Sequence, residues 1–209
     1  DANLGLVPKI IFNNRFASFT LISSTRVYLA NSIKNTKENN YIKLNTNYKN
    51  FFYNSLKLAA ESLCLSLKNK KIKVLRMSNL FGDNFTNQTY LLPNLIRNSI
   101  TKKQIEISIN KKSSKDFLHV NEAIELMIKI IKKGDHRLYN VASGKNTQLS
   151  TVAEKIKKIT NCKIIYKNQN KLVEEPKINI NRINKEFNFR PKLSLVNSLE
   201  QIIINYKKL

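Results

Sequence analysis

The sequence predicts an α/β fold, in which part of a doubly wound parallel sheet is followed by a smaller α+β lobe. Two short apolar runs, residues 19–23 (FTLIS) and 72–77 (IKVLRM), have the composition of buried strands. Between them, residues 50–68 repeat apolar side chains at three- and four-residue steps, as amphipathic helices do. Strand, helix and strand in this order form one βαβ unit, so the two strands are predicted to be parallel, with a right-handed crossover.

The other elements of the first part are less regular. Residues 1–17 are predicted to form a helix and a loop that lead into the first strand. Residues 31–50 are dense in Asn, Lys and Thr and are predicted to form a surface loop. The second strand leads directly into residues 78–82 (SNLFG).

Beyond Gly82 the predicted elements become shorter, which indicates the second lobe. Ser150 is predicted to cap a helix, since Glu154 follows in the first turn. The remaining elements are predicted helices at 91–101, 121–133, 150–159 and 195–206 and predicted strands at 105–109, 137–141 and 163–166.

The formal net charge of +23 comes from 30 Lys and 7 Arg beside 30 Asn and 25 Ile. A basic surface attracts polyanions. Arginine, whose forked guanidinium suits phosphate, is nevertheless scarce in this chain. Lys, Asn and Ile are the residues that A/T-rich codons specify. We interpret the charge chiefly as codon composition spread over a solvated surface. Help in binding a small anion is the first alternative, and nucleic acid is the least favoured partner.

The cysteines and the apolar runs restrict the class of protein further, with respect to metal sites, disulfides and membrane segments. Cys64 and Cys162 have no CxxC spacing, and only His119 and His136 could assist them, so neither a metal site nor a disulfide framework is predicted. No run reaches the ~18 apolar residues of a membrane span, and the first residues lack the pattern of an export signal. We expect a cytoplasmic protein without a membrane partner.

Three residues suggest chemistry. Ser24 follows the first strand, and Tyr53 and Lys57 lie four residues apart on the long helix. An ammonium at that spacing shares a helix face with the phenol and stabilises its anion, which makes tyrosine a usable base. The spacing alone does not prove catalysis. The structural alternative is that Tyr53 is a half-buried aromatic residue and Lys57 its solvated neighbour.

Six segments stand out in order along the chain: LISSTRVY (21–28), YNSLKLAAE (53–61), VLRMSNLFG (74–82), KDFLHVNEA (115–123), YNVASG (139–144) and NRINKEFNFRPKLSL (181–195). In the same order, they resemble six segments of the extended short-chain dehydrogenase/reductase family: its serine loop ending in V-Y, its YxxxK helix with a trailing glutamate, its R-x-x-N-x-x-G strand end, its R-D-[FY]-x-H-V-x-D block, its Y-N-[VI]-x-x-G turn and its C-terminal segment. This family comprises the nucleotide-sugar epimerases and dehydratases that act with NAD or NADP.

The resemblance implies roles for the three candidate residues. Ser24 would hydrogen-bond the reacting sugar hydroxyl or keto oxygen, and Tyr53 would be the acid/base. Lys57 would favour the phenolate of Tyr53 and contact the nicotinamide ribose. The implied cofactor is NAD or NADP, the implied substrate is a nucleotide sugar, and the parent enzyme would be a homodimer through the helix that carries Tyr53.

Three further contacts are implied by the later blocks. Asn79 would hold the nucleotide diphosphate, and Phe81 would form part of the wall around the cofactor ribose. Lys115 stands where the family commonly has an arginine, and it supplies charge but no bidentate grip on a diphosphate. An asparagine that caps a strand-to-loop turn is the structural alternative for Asn79.

Departures from the family pattern narrow the prediction. The family's 4,6-dehydratases typically have Asp-Glu after the hydroxyl-bearing residue, because elimination of water needs a carboxyl acid and base. This chain has Thr25 and Arg26 there, so we expect 4-epimerase or keto-sugar reductase chemistry.

The pyrophosphate-binding GxxGxxG turn of the family is absent from residues 1–209, whose four glycines are Gly5, Gly82, Gly134 and Gly144.

The resemblance therefore predicts that residues 1–83 are part of a Rossmann-type dinucleotide-binding domain without its N-terminal glycine-rich βαβ units. Residues 84–209 are predicted to form mainly the substrate-binding lobe, with segments around 105–145 returning to the sheet. We expect the sequence to be the C-terminal part of a longer enzyme and to be inactive alone. The alternative function is a non-catalytic basic module that binds an anion or nucleic acid.

Overall fold

The computed structural model describes residues 2–13, 16–30, 35–44, 47, 51–83, 90–173 and 175–208. A π-helical segment, Ala2–Leu6, precedes the first helix, and a 3₁₀ turn, Thr25–Tyr28, follows the first strand. In these ranges the helices are α1 (Val7–Asn13), α2 (Phe51–Ser66), α3 (Leu91–Thr101), α4 (Val120–Lys133), α5 (Leu149–Thr160), α6 (Asn181–Phe187) and α7 (Leu195–Tyr206). The strands are β1 (Phe19–Ser24), β2 (Asn35–Thr36), β3 (Ile72–Met77), β4 (Asn79–Phe81), β5 (Gln104–Ile107), β6 (Ser114–His119), β7 (Leu138–Val141), β8 (Asn146–Gln148), β9 (Lys163–Tyr166) and β10 (Lys177–Ile178).

The chain divides into two compact units, each formed by three separate segments of the sequence. Unit 1 comprises Asp1–Ser78, Ala123–Gly144 and Pro176–Arg190, and unit 2 comprises Asn79–Glu122, Lys145–Glu175 and Pro191–Leu209. That a dinucleotide-binding domain covers 1–83 and a substrate-binding lobe 84–209 stays a prediction.

Unit 1 contains a parallel sheet with the strand order β1–β3–β7. Phe19 pairs with Ile72 at one end of the β1–β3 ladder and Ser24 with Met77 at the other, and β7 lies along the opposite edge of β3. Helix α2 connects β1 to β3 along the chain and packs on both. This arrangement confirms the predicted βαβ unit with parallel strands and the α/β class of the fold.

The central strand of unit 1 is buried at every position, including Lys73 and Arg76. Lys73 reaches the end of α4, where its Nζ donates to the carbonyl oxygens of Gly134 at 2.5 Å and His136 at 3.3 Å. A second, short parallel pair joins β2 to β10 in the same unit. The apolar core beside β3 is contributed by α1, β1, β3 and α2 through Val7, Ile11, Leu21, Ala60, Cys64, Ile72 and Val74.

The described residues of unit 2 form two small sheets and the helices α3, α5 and α7. Strand β6 pairs in parallel with β4 and antiparallel with β8, and β5 pairs in parallel with β9. Helices α3, α5 and α7 bring apolar side chains into one core with β5. Its fully or nearly fully buried members include Leu95, Ile96, Ile105, Val152, Ile156, Leu199, Ile202 and Ile203.

The predicted cap at Ser150 is wrong. Helix α5 begins at Leu149, and its N-terminal cap is Gln148, which makes no side-chain capping bond. The chain enters the helix directly from β8 because the amide of Leu149 donates to the carbonyl of Ser113 at 2.8 Å, which draws Leu149 into the core. The predicted loop at 31–50 contains β2, and its residues 31–34, 45–46 and 48–50 lie outside the described part of the chain.

We predict that Gly144→Ala destabilises unit 1. Gly144 has a φ of +74°, which strains any residue with a Cβ atom, and an added Cβ would lie 3.0 Å from Cγ1 of Ile180. We expect the free energy of unfolding to fall by about 1–3 kcal/mol, measured by chemical denaturation. Gly5→Ala is the matched control, because no atom lies within 4 Å of its added Cβ. Equal stability of the two variants would contradict the prediction.

Candidate active site

Ser24 is the last residue of β1 and begins the 3₁₀ turn that follows. Its Oγ accepts a hydrogen bond from the amide of Arg26 at 3.2 Å, so the hydroxyl caps that turn. Capping serines adopt extended backbone angles, and Ser24 does so at φ −140° and ψ 142°. The cap fixes the hydroxyl at the carboxyl end of β1, the end at which open parallel sheets bind ligands.

Lys57 joins helix α2 to the same end of β1. Its Nζ donates to the carbonyl oxygen of Ile22 at 2.9 Å, two residues before Ser24. The side chain is half-buried, and this burial lowers the pKa of Lys57, while the carboxylate of Glu61 acts in the opposite direction. The lysine is therefore held in place by the backbone of β1, and Glu61 favours its charged form.

Tyr53 lies one turn before Lys57 on α2, and two cations lie beside its ring. The guanidinium carbon of Arg26 is 5.3 Å from the ring centroid, and the Nζ of Lys57 is 6.0 Å from it. Both distances are within cation–π range. The side chain is 41% exposed, so a ligand can reach it. The structure thus places all three predicted catalytic residues near Arg26 and the end of β1. The sequence predicted no role for Arg26, which served only to show that no carboxylate occupies that position.

A buried ion pair lies behind this cluster, one turn further along α2. The carboxylate of Glu61 accepts hydrogen bonds from Arg76 of β3, at 2.6 Å from Nη2 and 3.0 Å from Nε, and from the hydroxyl of Ser23. The two charged side chains are only 3% and 5% exposed. Burial opposes the charge of Arg76, but the hydrogen bonds and the charge of Glu61 outweigh it and hold the pKa of Arg76 above its ordinary value.

The ion pair continues into a polar network across unit 1. Arg76 donates from Nη1 to the hydroxyl of Tyr28 at 2.7 Å, and that hydroxyl donates to Oδ1 of Asn140 at 2.9 Å. The side-chain amide of Asn140 donates to the carbonyl oxygen of Asn179 at 3.1 Å, and its backbone amide donates to the carboxylate of Glu38 at 3.0 Å. Burial raises the pKa of Tyr28, so its phenol stays neutral and can donate.

The sequence interpretation assigned no role to this network, although the signal was present. Four of its side chains are each a polar residue of one of the motif segments. They are the tyrosine of the V-Y that ends the serine loop (Tyr28), the glutamate that trails YxxxK (Glu61), the arginine of R-x-x-N (Arg76) and the asparagine of Y-N (Asn140). The four segments are far apart in the sequence, so no single segment predicts that their side chains converge on one cluster.

The other candidate residues lie in unit 2. Asn79 begins β4, and its amide donates to the carbonyl oxygen of Asp116 at 2.9 Å and to Oε2 of Glu175 at 3.1 Å. Lys115 of β6 forms an ion pair with Oε1 of the same glutamate at 2.7 Å. The structure thus brings Asn79 and Lys115 together around Glu175, a residue that sequence reasoning missed.

Phe81 is fully buried in the core of unit 2. Its ring packs edge-on against His119, with 5.1 Å between the ring centroids. The geometry gives Phe81 a packing role, and its predicted contact with the cofactor ribose stays a prediction.

Two features are absent from the described residues, namely a side-chain group that could hold a metal ion and a helix that could cross a membrane. In that part of the chain, no three His, Cys, Asp or Glu side chains are grouped to hold a metal ion. Among the helices described above, none is long and apolar enough to cross a membrane.

Comparisons with known proteins identify the family. The family model described as the NAD dependent epimerase/dehydratase family matches residues 9–142, more than half of the chain. The chain belongs to this family. A search of curated protein sequences finds no match.

Solved structures with the same fold are similar over nearly the whole chain. They include dTDP-glucose 4,6-dehydratase from Bacillus anthracis in complex with NAD (TM-score 0.82, 20% identity, 99% of this chain and 66% of that one). Two others are UDP-N-acetylglucosamine 4-epimerase from Methanobrevibacter ruminantium in complex with UDP-N-acetylmuramic acid (TM-score 0.81, 20% identity, 99% and 69% coverage) and RMD from Pseudomonas aeruginosa complexed with NADPH (TM-score 0.78, 21% identity, 99% and 72% coverage). At these identities the likeness concerns the fold. The chain spans about two thirds of the length of these three proteins.

The residues around Tyr53 fit the nicotinamide ribose of a dinucleotide cofactor. Ribose hydroxyls require hydrogen-bond partners, and Tyr53 presents an exposed phenol. Lys57 donates to Ile22, and a lysine carries three N–H donors. These contacts are compatible with a ribose held by Tyr53 and Lys57, and that role stays a prediction.

We predict that Glu61→Ala destabilises the protein strongly, because it leaves the charge of Arg76 buried without its partner. Loss of one partner of a buried ion pair costs about 3–5 kcal/mol, which chemical denaturation can measure. Glu106→Ala is the matched control, since Glu106 forms an exposed ion pair with Lys167 at 2.7 Å. We expect the control to melt close to the native chain. Similar losses in both variants would show that the buried pair does not anchor the fold.

Proposed function

We propose that this chain forms the catalytic part of a cytoplasmic NAD(P)-dependent nucleotide-sugar epimerase or keto-sugar reductase, with Tyr53 as the acid/base. The single observation that carries this proposal is the cluster at the end of β1. There Lys57 is bonded to Ile22, Ser24 is held by its capping bond, and the exposed ring of Tyr53 lies beside two cations. Family membership supports the same chemistry.

The proposed reaction moves one proton at Tyr53. The bound dinucleotide supplies a hydride acceptor or donor at the sugar carbon. The phenolate of Tyr53 takes the proton of the sugar hydroxyl as the carbon is oxidised, and the phenol returns a proton to the keto oxygen in the reverse step. Lys57 and Arg26 place positive charge beside the ring of Tyr53, and Ser24 holds the sugar oxygen.

Arg26 supports epimerase or reductase chemistry over dehydration. Elimination of water needs a carboxyl acid and base beside the sugar, whereas the residues after Ser24 are Thr25 and Arg26. The Arg26 guanidinium lies over the Tyr53 ring, so this position supplies positive charge to the tyrosine instead of a proton relay.

The partners are also part of the proposal. The substrate is a nucleotide sugar, and the whole protein pairs as a homodimer through α2, whose residues Phe52, Ala59 and Ser62 are exposed along the helix. Because residues 1–209 contain no GxxGxxG turn, we propose that turnover requires a polypeptide segment that supplies this turn and that the chain alone is inactive.

We predict that Tyr53→Phe lowers turnover by about 10²–10⁴-fold, the usual contribution of a positioned acid/base. The assay uses the complete protein that the gene encodes, with NAD or NADP, UDP-sugars and dTDP-glucose, and follows both the cofactor absorbance and the separated sugar products. Tyr41→Phe is the matched control, because this tyrosine is almost fully exposed and lies outside the cluster.

Two outcomes would reject the proposal. One is undiminished turnover by the Tyr53→Phe protein. The other is the absence of any nucleotide-sugar turnover by a complete protein that folds and binds the cofactor.

A further inference from the structure

An internal carboxylate occupies the position between the two predicted diphosphate ligands of unit 2. Oε1 of Glu175 lies 2.7 Å from Nζ of Lys115, and Oε2 lies 3.1 Å from Nδ2 of Asn79. One ammonium and one amide thus hold one oxygen each. The Glu175 side chain is 6% exposed, whereas that of Lys115 is 20% exposed.

The backbone of Glu175 is tied to the neighbouring strands. Its amide donates to the carbonyl oxygen of Ser114 in β6 at 3.2 Å, and its carbonyl accepts from the side-chain amide of Asn146 in β8 at 2.5 Å. These bonds hold the backbone beside β6 and leave the carboxylate to be positioned by the side-chain torsions and by its two donors.

This arrangement has the chemistry of an occupied anion site. Carboxylate and phosphate oxygens accept the same charge-assisted bonds from an ammonium and the same neutral bond from an amide. A ligand anion that used Lys115 and Asn79 would meet the negative charge of Glu175 at contact distance. The internal carboxylate and the ligand therefore compete for one pair of donors.

We propose that Glu175 is a specificity-determining residue that competes with ligand anions for Lys115 and Asn79. A diphosphate binds these donors only when the carboxylate of Glu175 is displaced, so the native cluster binds free anions weakly and favours ligands whose remaining contacts drive that displacement. The inference rests on the proposed function only in naming the diphosphate of a nucleotide sugar as the ligand.

The test titrates the full chain with inorganic pyrophosphate at low ionic strength in a calorimeter. Glu175→Gln keeps the size of the side chain and removes its charge, and we expect pyrophosphate to bind about 10-fold more tightly than to the native chain. Glu106→Gln is the matched control: it makes the same change of net charge at an exposed ion pair, and we expect little gain. Adding Lys115→Met to Glu175→Gln should abolish the gain.

An unchanged affinity in Glu175→Gln, or an equal gain in Glu106→Gln, would overturn the proposal. Should Glu175→Gln fail to fold by circular dichroism, the comparison passes to Glu175→Asp, whose shorter side chain keeps the charge but cannot reach both donors. We expect pyrophosphate to bind this variant about 3-fold more tightly than the native chain, and an unchanged affinity would overturn the proposal. Pyrophosphate binding needs neither cofactor nor turnover, so a complete protein without nucleotide-sugar activity would remove the proposed function and leave this result standing.

Discussion

The buried ion pair between Glu61 and Arg76 is the constraint on which the rest of unit 1 depends. Removing two charges from water is costly, and the pair is tolerated because the carboxylate accepts two bonds from Arg76 and a third from Ser23. The three residues belong to α2, β3 and β1. Sliding the helix by one turn, about 5.4 Å, would separate the two charges and leave each of them buried without its ionic partner. The pair therefore fixes the position of α2 on the sheet far more strictly than apolar packing does, since apolar contacts tolerate small shifts.

The geometry of the candidate site depends on this ion pair, because the pair positions the helix that carries Tyr53 and Lys57. Lys57 lies one turn before Glu61, and Tyr53 one turn before Lys57, so a single face of α2 runs from the buried pair to the exposed phenol. The bond from Lys57 to Ile22 forms because the helix is already held at the level of β1. Arg26 completes the cluster from the turn that Ser24 caps. A rigid helix carries the reactive residues, and a short capped turn carries the hydroxyl that would orient the substrate, which suits chemistry that depends on sub-ångström placement.

The sequence alone predicted the elements that have strong periodicity and missed those that depend on distant partners. The strands β1 and β3, the helix α2 between them and the pairing of Tyr53 with Lys57 all follow from local patterns. In β3, by contrast, the charged residues Lys73 and Arg76 lie on opposite faces of the strand, and both are buried because Gly134 and Glu61 satisfy them. The short strand β4 exists only through its pairing with β6. Glu175 is 60 residues from Lys115 and 96 from Asn79, so no local pattern could connect them.

The two units use a buried carboxylate in different ways, and exposure explains the difference. Around Glu61 both members of the pair are sealed from water, so neither charge can leave without losing all its partners, and the pair serves only as an anchor. Lys115 keeps a fifth of its side chain in contact with water, which lowers the cost of separating it from Glu175 and gives an incoming anion a way to approach it. A partly exposed pair of this kind can exchange one anion for another. The same side-chain chemistry that fixes the helix in unit 1 thus provides a replaceable contact in unit 2.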